Sequence, residues 1–523
     1  MVDDRKRGND SFEMRIEGVA EEIGLSKEKC PVEGVMDPCM LVILGASGDL
    51  TRKKLLPALF DLYLNNGLPE PFLIVGSART QMSHEDFRAR IHEAVKGRGT
   101  YAREKWEAFA SLLRYCPVEY EEASAFERLA GALRELDNER RTGGNRIFYL
   151  AIPPTLYETT AQMLGRAGLA EERSGGNGWT RIVVEKPFGS DLRTAMALDR
   201  TLHEHFREQQ IFRIDHYLAK ETVQNVLMLR FANAIFEPLW NRNYIDSIRI
   251  TAAESIGIEN RAGYYEQAGV LRDMFQNHMM QLLALTAMEP PSLFEADRVL
   301  DEKAKLYRAL RPFPVDRLEE SIVLGQYGSG IVEGKRVGAY REESGVSADS
   351  LTATYAMMKV FVDNWRWQGV PFLVTSGKRL ARKLTEIVIQ FKEIPHSMFR
   401  QVLGEDIRAN RLTLGIYPEE KITLTFQTKT PGARVRLRSV TMEFHYHQGY
   451  EGPALDAYEK VLLDVMTGDH MLFWRQDGVE LCWSFLTPIL AECEMCSNRA
   501  EMLMPYQAGS WGPDATRNLL SRP

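Results

Sequence analysis

The densest chemistry in the chain lies in the run Arg213-Ile214-Asp215-His216-Tyr217-Leu218-Ala219-Lys220-Glu221. An acid, an imidazole, a phenol and an ammonium fall between Asp215 and Lys220. Burying such groups is unfavourable unless they pair with one another or with a ligand. A carboxylate that hydrogen-bonds an imidazole fixes its tautomer and orientation. His216, Tyr217 and Lys220 together are donors suited to a phosphate. A solvated surface loop would have the same composition, so the elements around the run must decide.

Two further stretches carry chemistry-bearing residues. Glu185-Lys186-Pro187-Phe188-Gly189 follows a predicted strand, Arg181 to Val184. A lysine at such a strand end can reach both a cofactor and a substrate, or can simply cap the strand. Further on, Gly269 to Met288 reads as an apolar helix interrupted by Arg272, Asp273, Gln276, Asn277, His278 and Gln281. Met274 and Phe275 precede His278 by four and three residues, which puts this histidine on the apolar face. A core histidine satisfied by its neighbours fits that pattern as well. On an α-helix Asp273 lies about 140° around from His278, so the two are expected to flank a site.

The elements that would position these groups begin at Met40-Leu41-Val42-Ile43-Leu44, a short apolar run expected of a strand buried on both faces. Gly45-Ala46-Ser47-Gly48-Asp49-Leu50-Thr51 follows at once. Lys53 to Asn66 then has helical periodicity closed by Gly67, and Phe72 to Gly76 is a second strand. Strand, glycine turn, helix and strand make a dinucleotide-binding unit. The glycines are G-x-x-G rather than the full G-x-G-x-x-G, and their position between strand and helix strengthens the reading. Glycine there lets backbone approach a pyrophosphate while the helix N-terminus supplies donors. The second strand leads into Ser77-Ala78-Arg79-Thr80, with no carboxylate until Glu85. An acid at this point would bind ribose hydroxyls and an arginine would accept a 2′-phosphate, so NADP is favoured, with an exposed loop arginine as the alternative for Arg79.

His84 to Leu136 is mostly helical in pattern. Arg146 to Ile152 is another strand, stopped by Pro153-Pro154, a rigid turn at the carboxyl end where ligands sit in open α/β sheets. Arg173 to Gly178 is a glycine-rich loop. After a helix from Leu192 to Phe206, Phe212-Arg213-Ile214 leads into the polar run. That run therefore sits at a strand end, on the same carboxyl side as the glycine turn. Downstream the pattern changes to a helix from Thr222 to Phe236 and a strand from Ile245 to Ala253. Strands then follow at Ala353–Val362, Phe372–Thr375, Glu386–Phe391, Leu412–Ile416, Ile422–Phe426 and Thr441–His445, as in a largely antiparallel sheet.

At 523 residues the chain is expected to hold two or more domains. A net charge of −7 disfavours nucleic acid as a partner, since no basic excess exists to neutralise a backbone. No run approaches the roughly 18 apolar residues of a membrane span, and residues 1–37 lack a signal peptide's apolar core, so a cytoplasmic protein is expected. Of six cysteines only Cys493 and Cys496 have C-x-x-C spacing, with no second pair to complete a zinc site, so no metal is expected.

With these residues in view the chain resembles the glucose-6-phosphate dehydrogenase family over about residues 39–515. The motifs that carry the resemblance are Gly45-Ala-Ser-Gly-Asp-Leu50, Asn145-Arg-Ile-Phe-Tyr-Leu-Ala-Ile-Pro-Pro154, Glu185-Lys-Pro-Phe-Gly189, Asp215-His-Tyr-Leu-Ala-Lys-Glu221 and Val270-Leu-Arg-Asp-Met-Phe-Gln-Asn-His278. Trp367-Gln-Gly-Val-Pro-Phe372, Gly377-Lys-Arg-Leu380 and Tyr458-Glu-Lys-Val-Leu-Leu-Asp-Val465 are similar to the family as well. Residues 1–38 fall outside the resemblance and read as a flexible N-terminal arm; the resemblance implies a Rossmann-like NADP-binding domain over 39–215 and an α+β substrate and oligomerisation domain over 216–523. It implies oxidation of glucose 6-phosphate at C1 with hydride transfer to NADP⁺, by a homodimer or homotetramer. His278 would be the base, oriented by Asp215. His216, Tyr217 and Lys220 would hold the phosphate, and Lys186 would contact substrate and cofactor. Glu254, Asp273 and Lys378 would complete the sugar pocket, with Lys383 as a further cation. Gly45, Ser47, Gly48, Asp49, Leu50, Arg79 and Pro154 would contact the cofactor. Ala219 departs from the glycine usual in the family. Thr375, Leu384 and Val388 stand where animal members build a second NADP site, which is therefore expected to be missing or weakened. The competing expectations are a related sugar oxidoreductase that does not need the 6-phosphate, and an NADP-binding sensor without activity.

Overall fold

The computed structural model describes residues 36–97, 101–172, 178–215, 217–398, 407–432, 436–446, 455–495 and 499–521. The expected arm over 1–38 lies outside these residues except for 36–38, and most of the glycine-rich loop, His216 and Cys496 also lie outside them.

The described residues form two large sheets. The first contains β1 (Cys39–Leu44), β2 (Phe72–Ser77), β3 (Leu113–Tyr115), β4 (Arg146–Leu150), β5 (Thr180–Val184) and β6 (Ile211–Ile214). These six are parallel, in the order β6-β5-β4-β1-β2-β3. β1, β2 and β6 are buried at every position, as parallel strands covered on both faces require. The chain runs outward from β1 to β3, then crosses to β4 on the other side. The strand order therefore reverses between β1 and β4, the place where dinucleotides bind in such sheets.

The second sheet has the order β16-β15-β14-β13-β7-β12-β11-β8-β18. Its strands are β7 (Ile245–Ala253), β8 (Ile322–Gly328), β11 (Tyr355–Val360), β12 (Phe372–Gly377), β13 (Leu384–Phe391), β14 (Arg411–Tyr417), β15 (Lys421–Lys429), β16 (Leu437–His445) and β18 (Leu503–Gln507). β9 (Gly330–Val332) and β10 (Lys335–Val337) form a separate hairpin. The sheet is mostly antiparallel, but β12 runs parallel to β7 and β18 parallel to β8. This is the α/β plus α+β architecture expected from the sequence. The chain also returns: β17 (Phe473–Trp474) pairs antiparallel with β6, and helix Ala457–Thr467 packs on helix Leu56–Leu64.

Two local readings change. The stretch expected to be one α-helix from Gly269 to Met288 begins at a break from the preceding helix, at Gly269, whose φ of 57° and ψ of −177° lie outside helical space and are open to glycine. Leu271–Met279 is then π-helical and Met280–Ala287 α-helical. Within His84 to Leu136, the short strand β3 interrupts the helical pattern.

Gly45 marks the switch point. Its φ is +96°, and a Cβ there would lie 2.1 Å from the Ala151 carbonyl oxygen at the end of β4. Gly45→Ala is therefore expected to destabilise the chain by about 1–3 kcal/mol and loosen the crevice between β1 and β4. Denaturant unfolding checks this, and an unchanged midpoint would contradict it.

Candidate active site

Asp215 lies immediately after β6 and Lys186 two residues after β5. The two strands are parallel neighbours with Val184 opposite Arg213, so both residues emerge at the carboxyl edge of the first sheet. Arg213, from the same polar run, faces the other way. It is buried and donates to Asp199 at 2.7 Å and Glu208 at 2.8 Å, anchoring β6 to helix Leu192–His203.

The second sheet presents its own residues by register. Ala253 of β7 is opposite Gly377 of β12 and Leu384 of β13. Glu254, Lys378 and Lys383 therefore leave one end of the sheet together. Lys378 Nζ donates to Glu254 Oε2 at 2.6 Å, and Tyr506 fixes the Lys378 carbonyl at 2.7 Å.

The π-helical segment joins the two edges. Its i→i+5 pattern brings residues five apart close to one line. Asp273 and His278 thus meet the same lysine, which replaces the 140° separation expected of an α-helix. Lys186 Nζ bridges them, donating to the Asp273 carbonyl at 3.2 Å and to His278 Nε2 at 2.9 Å, and lying 3.5 Å from Asp273 Oδ1. On the other side of the ring, His278 Nδ1 meets Asp215 Oδ1 at 2.6 Å. Asp215 Oδ1 also accepts from the Tyr217 N–H at 3.0 Å. Because Asp215 accepts the hydrogen bond from Nδ1–H, the Nε2 lone pair is the one left to accept.

Both partners are sealed from water: His278 is 1% exposed and Asp215 2%. Burial lowers the His278 pKa, with Lys186 acting the same way and Asp215 opposing them. The ring is therefore held neutral more strongly than an ordinary histidine. Asp273 is also buried, which opposes its ionisation. Lys186, Lys378, Arg261 and His278 outweigh burial and keep its carboxyl below the usual range.

The Tyr217 ring stacks on His278 with centroids 4.0 Å apart and 21° between planes, and Lys220 Nζ lies 4.0 Å from the Tyr217 ring centre. Lys383 Nζ lies 4.2 Å from the Tyr417 ring centre, and Lys220 faces that ring at 6.0 Å. The Lys220 pKa is lowered, first by burial and then by the charge of Lys383. Two cations held against aromatic faces and working against each other suit a dianion between them.

The glycine turn lies at the switch point. Asp49 is exposed and bonded to Arg52 at 2.9 Å and Lys53 at 2.8 Å, and Arg90 donates to the Ser47 carbonyl at 2.7 Å. Gly48 and Leu50 are half-buried beside them, and Arg79 is exposed just past β2. Pro154 is exposed and opens a short turn beyond β4. A basic, half-open crevice with no carboxylate at the end of β2 fits a phosphorylated dinucleotide such as NADP.

The structure thus gathers Lys186, Asp215, Tyr217, Lys220, Glu254, Asp273, His278, Lys378 and Lys383, and places Gly45, Ser47, Gly48, Asp49, Leu50, Arg79 and Pro154 along the crevice. Sequence reasoning missed Tyr264, whose hydroxyl reaches Asp273 at 3.3 Å, Arg261 at 3.8 Å from the same carboxylate, and Tyr417 beneath the two lysines. Tyr264 and Arg261 lie across the Gly269 break from Asp273, so no helical periodicity connects them. Tyr417 ends a strand with nothing local to distinguish it.

Comparison with known proteins gives one answer from residue 42 onward. Residues 42–225 match the domain described as glucose-6-phosphate dehydrogenase, NAD binding domain, and residues 227–523 match its C-terminal domain. The glucose-6-phosphate 1-dehydrogenase of Aggregatibacter actinomycetemcomitans is 46% identical over 485 residues, covering 92% of this chain and 96% of its own. That of Treponema pallidum (strain Nichols) is 44% identical over 491 residues, covering 93% and 94%. A solved glucose-6-phosphate dehydrogenase in complex with its substrate glucose-6-phosphate is similar at a TM-score of 0.85 and 33% identity, covering 94% of this chain and 98% of that one. The enzyme from Mycobacterium avium gives 0.77 and 32%, covering 92% and 97%. The chain belongs to the glucose-6-phosphate dehydrogenase family, NAD(P)-linked oxidoreductases acting on a CH–OH group.

Proposed function

We propose that this chain oxidises D-glucose 6-phosphate at C1 to 6-phospho-D-glucono-1,5-lactone, the first step of the oxidative pentose phosphate pathway, with His278 as base. The observation that carries this reading is the buried Asp215–His278 pair, with Nδ1 bonded to the carboxylate and Nε2 left to accept. The C1 hydroxyl takes the place of Lys186 Nζ at Nε2 and gives up its proton as the C1–O bond becomes a carbonyl. Bound NADP⁺ supplies the acceptor for the hydride leaving C1. Asp215 stabilises the imidazolium that forms, as a carboxylate behind a catalytic histidine does. Lys186, displaced from Nε2, stays beside the reacting oxygen. Glu254, Asp273 and Lys378 hold the sugar hydroxyls, and Tyr217, Lys220 and Lys383 hold the phosphate. His216 is assigned to the phosphate on its place in the motif alone.

The Lys220–Lys383 arrangement supports a phosphorylated substrate over a plain sugar. The presence of both Asp215 and His278 favours an enzyme over a sensor. Gly45, Ser47, Gly48, Asp49, Leu50 and Pro154 line the dinucleotide, and Arg79 accepts the 2′-phosphate. A homodimer or homotetramer that joins through the second sheet, in the cytoplasm, completes the proposal.

His278→Asn is expected to lower kcat by several orders of magnitude with little change in KM, since it removes proton abstraction rather than binding. In the native enzyme the acid limb of kcat/KM should fall below the ordinary histidine value of 6.5, because burial lowers the His278 pKa. A limb above 6.5, or an active His278→Asn, would contradict the assignment.

Lys220→Ala should mainly raise KM for the sugar phosphate. In the native enzyme that KM should begin to rise at a pH below the ordinary lysine range, since burial and Lys383 lower the pKa of Lys220. Equal loss of kcat and KM in both variants would contradict this division.

Initial rates with NADP⁺ and NAD⁺ test the cofactor. Arg79→Ala should weaken NADP⁺ by about 1.5–3 kcal/mol, roughly ten- to a hundredfold, and leave NAD⁺ unchanged. Equal effects on the two would remove Arg79 from the 2′-phosphate.

A further inference from the structure

Helix Ala296–Arg308 buries Val299, Leu300, Lys303, Ala304, Leu306 and Tyr307. The ammonium is the anomaly on this face. Lys303 is 2% exposed, and its Nζ has no hydrogen-bond partner among the described residues. Lys305, two residues on, is exposed and pairs with Glu302 at 2.8 Å. Taking a charged amine out of water without a partner is among the most unfavourable burials, and each instance calls for an explanation.

The packing supplies one. Tyr307, one turn further along the same face, donates to the Met280 carbonyl at 3.3 Å. Met280 lies two residues past His278, so this face rests against the segment that carries the base. Asp215 is the opposite charge acting on Lys303, and its field also reaches Tyr307.

We propose that Lys303 is a positioning residue for the reaction, a buried countercharge that keeps Asp215 a carboxylate and so keeps the proton of neutral His278 on Nδ1. The inference rests on His278 being the base. Burial drives the Lys303 pKa down to about 8, while Asp215 opposes the fall. Among the described residues, Lys186 and Asp273 also act on His278, and Tyr217 and Lys220 lie in the field of Asp215. His278 is bonded to Asp215, and helix Met280–Ala287 carries no titratable side chain. From helix Gln476–Met495, Cys482 bonds Tyr307 and Asp477 acts on it. Without the ammonium, the Asp215–His278 pair gains a positive charge more readily, so it takes up its next proton at a higher pH.

Lys303→Met keeps the length of the side chain and removes the charge. The expected result is about one pH unit of upward movement in the protonation of the pair, which from a native value below 6.5 lowers kcat at neutral pH by at most about threefold. The acid limb of kcat/KM should move up by a similar amount, with KM for glucose 6-phosphate little changed. Lys303→Arg, which keeps the charge, should leave the acid limb at its native pH even where packing lowers kcat. An acid limb at the native pH in Lys303→Met overturns the proposal, as does the same upward shift in Lys303→Arg. If His278→Asn were as active as the native enzyme, the reading of the base itself would fail and this inference with it. An inactive His278→Asn beside an unmoved limb in Lys303→Met would remove Lys303 alone.

Discussion

One hydrogen bond sets the terms for the rest of the molecule: His278 Nδ1 to Asp215 Oδ1, 2.6 Å long and spanning 63 residues. It is closed to water on both sides, which makes it strong and makes any error in it costly, because a low dielectric amplifies both effects. Neighbouring groups hold the carboxylate and the ring in place. Arg213, paired with Asp199 and Glu208, fixes the strand that delivers Asp215. Gly269 breaks the preceding helix so that a π-helical segment can deliver His278 and Asp273 on one side. Tyr217 covers the ring face.

The site exists only because two sheets end at the same place. Lys186 and Asp215 come from parallel neighbours of the first sheet, and Glu254, Lys378 and Lys383 from the meeting of β7, β12 and β13 in the second. Each set alone is a cluster of like or half-matched charge. Brought together, Lys186 meets His278 and Asp273, and Lys378 meets Glu254 and lies 3.9 Å from Asp273. Lys220 and Lys383 keep their mutual repulsion, which an anionic ligand would relieve. In the proposed reading, binding energy is stored where the non-reacting end of the substrate would dock, and the neutral ring is kept for the reacting end.

Much of this was legible in the residues. The buried run at Met40–Leu44, the glycine turn and the strand at Phe72–Gly76 specified the first half of the parallel sheet, because parallel strands need apolar faces on both sides. The six strands expected beyond Leu351 all occur, although burial alternates cleanly along β14 while β11 is buried at every position. β8, β18 and β17 were not seen. Ile322–Gly328 is buried at nearly every position and so shows no alternation, and Phe473–Trp474 is too short to show a period. The α-helical reading placed Asp273 and His278 apart because sequence periodicity does not reveal a π-helical segment. Lys303 was passed over because a lysine in a charged helical run reads as solvated, and only its packing against the His278 segment removes it from water.

The most direct test of the account is nitrogen NMR of the histidine rings in ¹⁵N-labelled native protein, with His278 assigned by comparison with His278→Asn. The account requires a neutral His278 with its proton on Nδ1, persisting as the pH is lowered through the ordinary histidine value of 6.5. In Asp215→Asn that tautomer should lose its preference. A His278 that is already an imidazolium at neutral pH, or one that carries its proton on Nε2, would contradict the account.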